Sequence, residues 1–356
     1  MSKAHARSRH FRAGVLWALA TAAIGQIALG TLIDVGLPEV RDPEYAHREH
    51  LLIEQTRQRD GRPLVVVLGS SRVQNGFDAE AAMTATNQQA RMFNFGIPTS
   101  GPYLERVWLD RLLAKGMKPD LLLIEVLPMH YNARRSPPDL RGLDGARLSV
   151  GEMAKMPKTV ESVMGPCRRW LVGRVIPSHR HQAELRERLG IDADAPRLPR
   201  HDASQMIDAF GFQPRTFPPE QAARLRRLSH VQYDSCYSEF ELSVPQAKQL
   251  HASLELCRAN GIRPAILLAP EGSEFRELVT PAMEQATQRM LTECRERYGA
   301  VVIDARAWML DPEFFDMHHL TPWGARLFSE RLAREAIVPM LSGFANAAKS
   351  NTLNQE

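Results

Sequence analysis

The chain has 356 residues, of which 44% are hydrophobic and 24% charged, a composition typical of a globular protein rather than a disordered or multi-span membrane protein. The formal net charge of +4 is too small to indicate a nucleic-acid-binding surface, so no nucleic-acid partner is expected. Four cysteines without CxxC spacing give no support to a zinc or thioredoxin-like redox site. At about 150 residues per domain, the length predicts two domains or one domain with an insertion.

The N-terminal segment carries the pattern of a membrane anchor. Residues 1–12 form a basic leader without acidic residues, and the 21 residues of 13–33 carry no charge. As a helix, such a run spans roughly 30 Å, the thickness of a bilayer's hydrocarbon core. The basic leader predicts a cytoplasmic N-terminus, so we expect a single-pass protein of the inner (cytoplasmic) membrane with its main domain in the periplasm or exterior.

Two alternatives to a retained anchor are open at this stage. Ala28-Leu29-Gly30 resembles a signal-peptidase cleavage site, which would make residues 1–30 a removable signal peptide. A buried helix of a soluble protein is the other alternative, although such helices rarely lack charge for six turns. Both membrane interpretations export the main domain, where disulfides are permitted.

After a polar lead-in over residues 34–61, short apolar runs alternate with helical patterns. The runs are nearly continuous in Val, Ile and Leu, which predicts buried parallel strands rather than half-exposed ones. The predicted strands are Leu64–Leu68, Met92–Phe95, Leu121–Val126, Ala265–Leu268 and Val301–Ile303.

Helices with clear end signals separate these strands. Residues 102–115 and 244–260 have apolar side chains at three- and four-residue spacing, and each helix is followed by a glycine, Gly116 or Gly261. Thr321 is a predicted N-cap of the last helix. This alternation predicts a doubly wound α/β sheet with its ligand site at the carboxyl ends of the strands.

The strand and helix rhythm is interrupted over residues 136–228, which are rich in proline and arginine. We interpret this segment as an insertion, either a cap over the site or a solvated excursion. Cys167 and Cys236 are the pair that we would test first for a disulfide, whereas Cys257 and Cys294 fall in helical patterns typical of buried thiols. Residues 343–356 are predicted to be a disordered tail.

Three motifs lie where such a sheet places its site. Gly69-Ser70-Ser71-Arg72 follows the first strand, on a turn whose backbone N–H groups can stabilise an oxyanion. Asn94-Phe95-Gly96 ends the second strand, where a glycine amide can approach a ligand closely. In Asp316-Met317-His318-His319, an Asp three residues before a His can orient the imidazole, which can accept a proton from a serine hydroxyl.

These motifs, in this order, resemble those of the SGNH (GDSL-like) hydrolase superfamily over roughly residues 62–135 and 235–340, and we assign residues 62–135 and 229–342 to the corresponding domain. The block DMHHLTPWGARLFSERLA, which begins at Asp316, is the most specific part. The resemblance implies a doubly wound, three-layer α/β fold of the flavodoxin-like type, with a mostly parallel five-stranded sheet. It also implies Ser71 as nucleophile, His319 as base, Asp316 as the triad acid, and the amides of Ser71 and Gly96 as the oxyanion hole.

The chain departs from the superfamily pattern in two places. Ser70 stands where the first block usually has Asp, and the third strand continues as LLLIEVLPMHYN, in which Asn132 comes too late to match the family's oxyanion-hole Asn. Such departures, with an N-terminal anchor, are similar to those of exported alginate acetylation proteins and the D-alanyl transfer protein DltD. That resemblance implies a membrane-bound O-acyltransferase as a partner.

Other side chains near these motifs are candidate substrate contacts. Arg72 either binds an anionic group or pairs with an acid such as Asp78. Glu125 and His130 leave the third strand toward the predicted site, although a structural or solvated role is the alternative. His318 is the rival base to His319, and Ser71 alone is also a plausible helix-capping serine.

The sequence therefore predicts a membrane-anchored serine esterase or O-acyltransferase. Its predicted substrate is an acyl ester, acetylated envelope or extracellular polysaccharide foremost, and no metal or organic cofactor is implied. The alternatives are a carbohydrate-binding scaffold of an envelope-polymer acylation complex, without catalysis, and a lipid esterase.

Overall fold

The computed structural model describes residues 3–57, 60–135, 143–157, 160–191 and 207–342. The chain divides into two compact units. The first comprises Met1–Ala46, Asp144–Met156 and Val163–Arg200, and the second His47–Leu143, Pro157–Ser162 and His201–Glu356. The predicted insertion is thus shared between the units, and the predicted disordered tail lies outside the described residues.

Fifteen α-helices occur in the described part of the chain. In chain order they are α1 Lys3–Val35, α2 Pro38–Arg41, α3 Pro43–Arg57, α4 Ser71–Gly76, α5 Ala79–Ala85, α6 Pro102–Ala114, α7 Val150–Lys155, α8 Val160–Val175, α9 Pro177–Arg180, α10 Gln182–Arg188, α11 Pro219–Tyr237, α12 Val244–Ala259, α13 Ser273–Arg276, α14 Pro281–Tyr298 and α15 Pro322–Leu332. Short 3₁₀ turns at Pro128–Tyr131, Gly145–Arg147 and Asp311–Glu313 complete the set, and a π-helical turn at Ala333–Ile337 extends α15.

The second unit is built on a five-stranded sheet in which every pairing is parallel. The strands are β1 Leu64–Gly69, β2 Arg91–Gly96, β3 Leu121–Glu125, β4 Arg263–Leu268 and β5 Val301–Asp304, in the spatial order β2-β1-β3-β4-β5. This confirms the predicted α/β class and the five predicted strands. The order is the flavodoxin-like one, with its switch point between β1 and β3, where ligands of such sheets bind.

The strands form because their side chains are apolar on both faces and both faces are covered. Every residue of β1 and of β3 is buried, whereas the edge strand β5 is partly exposed. The core joins sheet residues such as Val65 and Leu123 to helix residues such as Phe328 of α15. The continuous apolar pattern in the sequence therefore has the expected physical cause.

The predicted helix ends are confirmed by backbone geometry. Gly116 and Gly261 adopt φ of +74° and +69° just beyond α6 and α12, a left-handed conformation that favours glycine. Thr321 caps α15 by accepting a hydrogen bond from the Gly324 amide at 3.1 Å. These ends fix where the loops of the sheet's carboxyl edge begin and stop.

The first unit contains helices α1, α2, α7, α9 and α10, together with the first residues of α3 and most of α8. Within α1, the 25 residues Phe11–Val35 are long and apolar enough to cross a membrane, and only 11% of their most apolar window is buried. The end of this helix is tied to the unit by an ion pair between Asp34 and Arg174, at 2.6 Å.

All four cysteines lie in described residues and all are free thiols. The suggested Cys167–Cys236 disulfide is therefore wrong for this structure. Cys257 and Cys294 are buried thiols, as predicted, and burial raises the pKa of each to about 12.

Candidate active site

The turn after β1 presents Ser71 at the start of α4. Ser70 is the N-cap of this helix and accepts a hydrogen bond from the Arg72 amide at 3.2 Å, while its own amide donates to Glu125 Oε2 at 2.7 Å. Capping is thus done by Ser70, which leaves the hydroxyl of Ser71 for another partner. Among the described residues, no acceptor is bonded to the Ser71 amide.

The loop before α15 is folded around the carboxylate of Asp316. Its Oδ1 accepts hydrogen bonds from the amides of His318 and His319, at 2.8 and 2.7 Å. Its Oδ2 lies 2.7 Å from His319 Nδ1. A three-residue spacing between acid and histidine therefore closes a tight turn that also orients the ring.

The two segments meet at the imidazole of His319. Ser71 Oγ lies 2.8 Å from His319 Nε2, so Ser71, His319 and Asp316 form a continuous chain of hydrogen bonds. Because an ionised carboxylate only accepts, Nδ1 carries the ring proton and Nε2 accepts the proton of the Ser71 hydroxyl. This is the arrangement that activates a serine as a nucleophile.

Electrostatics keep the Asp316 carboxyl ionised. Burial alone would raise its pKa, but the nearby imidazoles of His319 and His318 and the hydrogen bonds that it accepts hold the pKa below its usual value. The ring of Phe315 stacks parallel to the ring of His319, with centroids 5.5 Å apart and an interplanar angle of 4°, and this contact helps to fix the orientation of the imidazole.

His318 occupies a different environment from His319. It is 4% exposed and stacks on Phe275, with centroids 4.7 Å apart, while Tyr233 meets it edge-on at 4.9 Å. It lies within the aromatic core and does not line the cavity that Ser71 and His319 share. The histidine hydrogen-bonded to Ser71 is therefore His319, whereas the ring of His318 packs against Phe275 and Tyr233.

Gly96 departs from the expected oxyanion role. Its amide donates to Asn94 Oδ1 at 2.8 Å, so that N–H is already used within the protein. A Cβ at this position would meet the backbone nitrogen of Gln74 at 2.2 Å, so glycine is needed here because β2 and α4 touch. The side chain of Asn94 completes this contact by donating to the carbonyls of Val73 and Phe77, each at 2.7 Å.

Arg72 and Glu125 belong to a buried ionic network beneath Ser71. Arg72 Nε lies 3.6 Å from Glu125 Oε1 and its Nη2 lies 3.4 Å from Glu271 Oε1, with all three side chains 2% exposed or less. Arg72 Nη2 also donates to two backbone carbonyls of the loop after β4, at 2.8 and 2.9 Å. These contacts place Arg72 away from Asp78, which instead caps α5. Neither Arg72 nor Glu125 lines the cavity.

The remaining predicted residues also lie away from Ser71. His130 is 2% exposed within the 3₁₀ turn after β3 and does not line the cavity. Asn132 donates to the carbonyls of Cys236 and Ser238, at 2.9 and 3.2 Å, and so anchors the end of α11. The third strand therefore supplies no side chain that matches the superfamily's Asn.

A cavity of about 240 Å³ opens beside the Ser71–His319 pair. Besides the catalytic candidates, it is lined by Gln74, Asn75, Pro98, Arg215, Phe217, Leu225 and Phe315. Sequence patterns did not single out Gln74, Arg215 or Phe217. Gln74 could have been identified as a site residue from its position three residues after Ser71, on the predicted turn. No sequence feature could have identified residues 215–217, because they fall in a segment without any motif.

Gln74 is the unusual member of this lining. Its side chain is fully buried, and among the described residues neither its Nε2 nor its Oε1 has a hydrogen-bond partner. Leaving a buried amide unpaired costs about 1–3 kcal/mol, so such groups in native proteins call for an explanation. By contrast, the neighbouring Asn75 donates to the Gln213 carbonyl at 2.8 Å.

Asp316, His318 and His319 also bring three metal-ligating atoms within 4.8 Å of one another. The closest oxygen and nitrogen among these atoms are Asp316 Oδ2 and His319 Nδ1, which share a hydrogen bond of 2.7 Å. That bond places a proton on His319 Nδ1, so a metal could use only the Nε2 lone pair, which already accepts the proton of the Ser71 hydroxyl. The donor set therefore fits a proton relay better than a metal centre.

Comparisons with known proteins give a partial match. Residues 38–138, less than half of the chain, match a family model described as "Protein of unknown function (DUF1574)". No curated protein matches the chain significantly.

Solved structures similar to this chain include three hydrolase-like proteins at low identity. They are a protein described as lipolytic and of the G-D-S-L family from Desulfitobacterium hafniense (12% identity, 77% of this chain and 99% of that chain covered, TM-score 0.36), an acylhydrolase from Bacteroides fragilis (9%, 82% and 96%, 0.37), and a GDSL-like lipase from Bacteroides thetaiotaomicron (10%, 83% and 99%, 0.37). At these TM-scores the likeness does not assign a function to this chain.

Proposed function

We propose that this protein is a serine esterase or O-acyltransferase that acts on acyl esters through Ser71, His319 and Asp316. The observation that carries the proposal is the hydrogen-bond chain from Ser71 Oγ through His319 to Asp316, beside a cavity. Ser71 lies 248 positions before His319, and with Asp316 these side chains meet in the order that nucleophilic catalysis requires.

In this proposal Ser71 Oγ attacks the ester carbonyl while His319 Nε2 takes its proton. Collapse of the tetrahedral intermediate breaks the bond to the leaving alcohol, which receives that proton from His319, and an acyl-serine remains. Water or an acceptor hydroxyl then attacks the acyl-serine, giving its proton to His319 and regenerating Ser71. Asp316 holds the imidazole in the required tautomer and stabilises its protonated form.

The tetrahedral oxyanion needs hydrogen-bond donors, and two groups are suited to this task. The first is the Ser71 amide, which has no acceptor among the described residues. The second is Gln74 Nε2, a buried and unpaired donor in the wall of the cavity. In this assignment Gln74 supplies the donor that the superfamily takes from its third-block Asn, and Gly96 keeps a packing role.

The apolar α1 supports a further part of the proposal, a single-pass anchor with the catalytic unit on the exterior side of the inner membrane. An exported acyl-transfer enzyme at a membrane would act on esters of envelope or extracellular polysaccharide, acetyl esters foremost. It would work with a membrane-bound O-acyltransferase that delivers the acyl group.

The catalytic proposal is tested with the full chain in a neutral detergent and 4-nitrophenyl acetate as substrate. Wild type should release nitrophenol well above the rate of Ser71→Ala and His319→Ala, which should be equal to each other. The matched control is His50→Ala, which should keep the activity because His50 is exposed on α3 and lies outside the cavity. Equal rates for wild type and Ser71→Ala would contradict the proposal and favour a scaffold without catalysis.

A further inference from the structure

One cationic side chain in the catalytic cavity, that of Arg215, has no partner in the part of the chain that the structure describes. Arg215 is partly exposed and lines the cavity with Ser71 and His319. Within the described ranges, its guanidinium makes neither an ion pair nor a hydrogen bond. Most other arginines of the second unit, such as Arg306 with Glu284 at 2.7 Å, are paired with carboxylates.

The segment that carries Arg215 is held against the catalytic elements on both sides. Before it, the Gln213 amide donates to the Gln74 carbonyl at 3.1 Å, and the Gln213 carbonyl accepts from Asn75 Nδ2 at 2.8 Å. After it, Phe217 packs on Phe315 with ring centroids 4.8 Å apart. Arg215 is therefore placed by the same residues that build the nucleophile's helix and the histidine loop.

The other charges around the cavity do not neutralise Arg215. The carboxylate of Asp316 is committed to His319 and to two backbone amides. Phe315 also borders a neighbouring groove of about 570 Å³, whose walls include Arg226 and Arg227. Arg226 lies 3.5 Å from Glu274, whereas Arg227 is exposed and has no partner among the described residues. Asp311, another residue in the wall of this groove, is acidic, so the free cationic charge that favours a negative ligand beside Ser71 is that of Arg215 itself.

We infer that Arg215 forms an anion-binding subsite next to Ser71, and that the substrate is an acyl ester with a negative charge close to its ester bond. This inference rests on the proposed esterase or acyltransferase function. A guanidinium offers planar, paired donors that match a carboxylate, sulfate or phosphate group. Arg227, farther along the groove, suits a second negative charge, as in an acylated acidic sugar chain.

Turnover of matched esters tests the specificity of this subsite. The probes are 4-acetoxybenzoate, which is anionic, and 4-acetoxybenzamide, which is neutral. Arg215→Ala should lower kcat/KM for the anionic ester by about 10–100-fold and change that for the neutral ester little. Arg295→Ala, which removes an exposed charge from α14, is the matched control and should affect neither ester. An equal loss for both esters would overturn the inference.

A binding measurement separates this inference from the proposed function. In a Ser71→Ala background, calorimetry should show that 4-acetoxybenzoate binds at least about tenfold more tightly than 4-acetoxybenzamide, and that Arg215→Ala removes the difference. Equal binding of the two esters would refute the anion subsite even if wild type is an active esterase. Selective anion binding by a protein without Ser71-dependent turnover would support the subsite and refute the esterase.

A second, independent observation concerns apolar side chains exposed on the first unit. Helices α8 to α10 and the residues that follow them carry seven large apolar side chains that are 39–75% exposed. They are Met164, Leu171, Val172, Val175, Ile176, Leu189 and Ile191. Their spacing places Met164, Leu171, Val172 and Val175 on one face of α8, and an exposed apolar face of this kind marks an interaction site.

The same helices contact α1 inside its apolar stretch. Gln26 Oε1 accepts hydrogen bonds from the amide and the hydroxyl of Ser178, at 3.2 and 3.0 Å. A Cβ on Gly30 would lie 3.4 Å from the Arg174 carbonyl, so α8 approaches α1 closely there. Gln26 precedes the end of the charge-free run at Ile33 by seven residues, which corresponds to about 10 Å along a helix.

We propose that α8 to α10 lie in the exterior leaflet of the membrane, with their exposed apolar side chains covered by lipid. This placement follows from α1 as a membrane span, because Ser178 then meets Gln26 about 10 Å below the edge of the hydrocarbon core. The two hydrogen bonds satisfy the Gln26 side-chain oxygen and both donors of Ser178 in lipid, and the ion pair of Arg174 with Asp34, at the end of α1, suits the headgroup region.

Fluorescence in vesicles tests this placement on the full chain with Cys167→Ser. An environment-sensitive label at Leu171→Cys or Val175→Cys should emit at short wavelength in phosphatidylcholine–phosphatidylglycerol vesicles and be quenched by nitroxide-labelled lipid. The matched control is Glu296→Cys, an exposed position on α14 that should report water. A water-like signal at residue 171, or a shielded label that lipid nitroxides do not quench, would refute burial in lipid.

Discussion

At the scale of single residues, the site depends on the carboxylate of Asp316 and on the imidazole of His319 that it orients. A D-x-x-H spacing closes a turn in which one carboxylate binds two amides and one imidazole, so the geometry follows from local sequence. Gly96 was assigned an oxyanion role because glycine permits close approach, but the group that approaches it is the backbone of Gln74. Sequence alone does not show which neighbour a glycine makes room for.

Gln74→Ala tests the proposed oxyanion donor. We expect kcat for 4-nitrophenyl acetate to fall by about 10²–10³-fold with little change in KM, since the donor acts on the charge that develops in the transition state. The free energy of unfolding should stay within about 1 kcal/mol of wild type, because the amide has no partner to lose.

Asn75→Ala is the matched control for Gln74→Ala. Its amide is bonded to Gln213, so we expect a loss of stability of about 1–3 kcal/mol from this variant. If Gln74→Ala keeps full kcat, the buried amide is not the oxyanion donor.

Asp316 should also give the protein a pH-dependent stability. Its folded-state pKa lies below the unfolded value of about 3.9, so its ionised form stabilises the fold above that pH, and this contribution is lost as the pH falls toward the lowered pKa. The difference in unfolding free energy between wild type and Asp316→Asn should be constant above about pH 5 and shrink below about pH 4. Urea titrations at several pH values measure it, and a difference that grows toward acid pH would contradict the assignment.

At the scale of elements, the strands and helix ends were predictable because each depends on a short window of sequence. Continuous runs of Val, Ile and Leu gave buried parallel strands, and glycines ended α6 and α12. The wall of the cavity was not predictable, because the segment that carries residues 215–217 is joined to α4 by hydrogen bonds of the Gln213 backbone, which carry no sequence signal. The Cys167–Cys236 disulfide could not be judged from sequence for the same reason, since the pairing of distant cysteines depends on tertiary contacts.

The contact between β2 and α4 provides an element-scale prediction. Gly96→Ala should place its methyl group against the Gln74 backbone and push apart the elements that hold Ser71. We expect a loss of about 2–3 kcal/mol or more in unfolding free energy and a lower kcat. Gly151→Ala is the control, since a Cβ there meets nothing within 4 Å on helix α7. An unchanged thermal midpoint for Gly96→Ala would contradict the packing role.

At the scale of the whole molecule, basic residues are concentrated in two separate places, although the net charge is only +4. Basic residues cluster before the apolar part of α1, and unpaired arginines lie along the cavity and its groove. The first distribution is readable in the sequence because leader and apolar run are adjacent. The second depends on folding, since pairing with carboxylates such as Glu274 decides which arginines remain available.

Membrane topology is the prediction that belongs to this scale. Alkaline phosphatase fused after residue 342 should be active in a bacterial host, and the full chain should resist extraction from membranes by alkaline carbonate. A chain without residues 1–35 fused to the same reporter should stay in the cytoplasm without phosphatase activity. A mature N-terminus near residue 31 would instead show a cleaved signal peptide.

The proposed mechanism requires that Ser71 becomes acylated during turnover, and this acyl-serine can be trapped and identified. Wild-type protein is mixed with excess 4-nitrophenyl acetate, quenched in acid within the first turnover and digested for mass spectrometry. We predict that wild type carries an acetyl group on Ser71 and that Ser71→Ala does not. In Gln74→Ala, the acetyl group should be more abundant only if the substitution slows deacylation more than acylation. An unmodified Ser71 in wild type, with nitrophenol released at the rate of Ser71→Ala, would contradict the account.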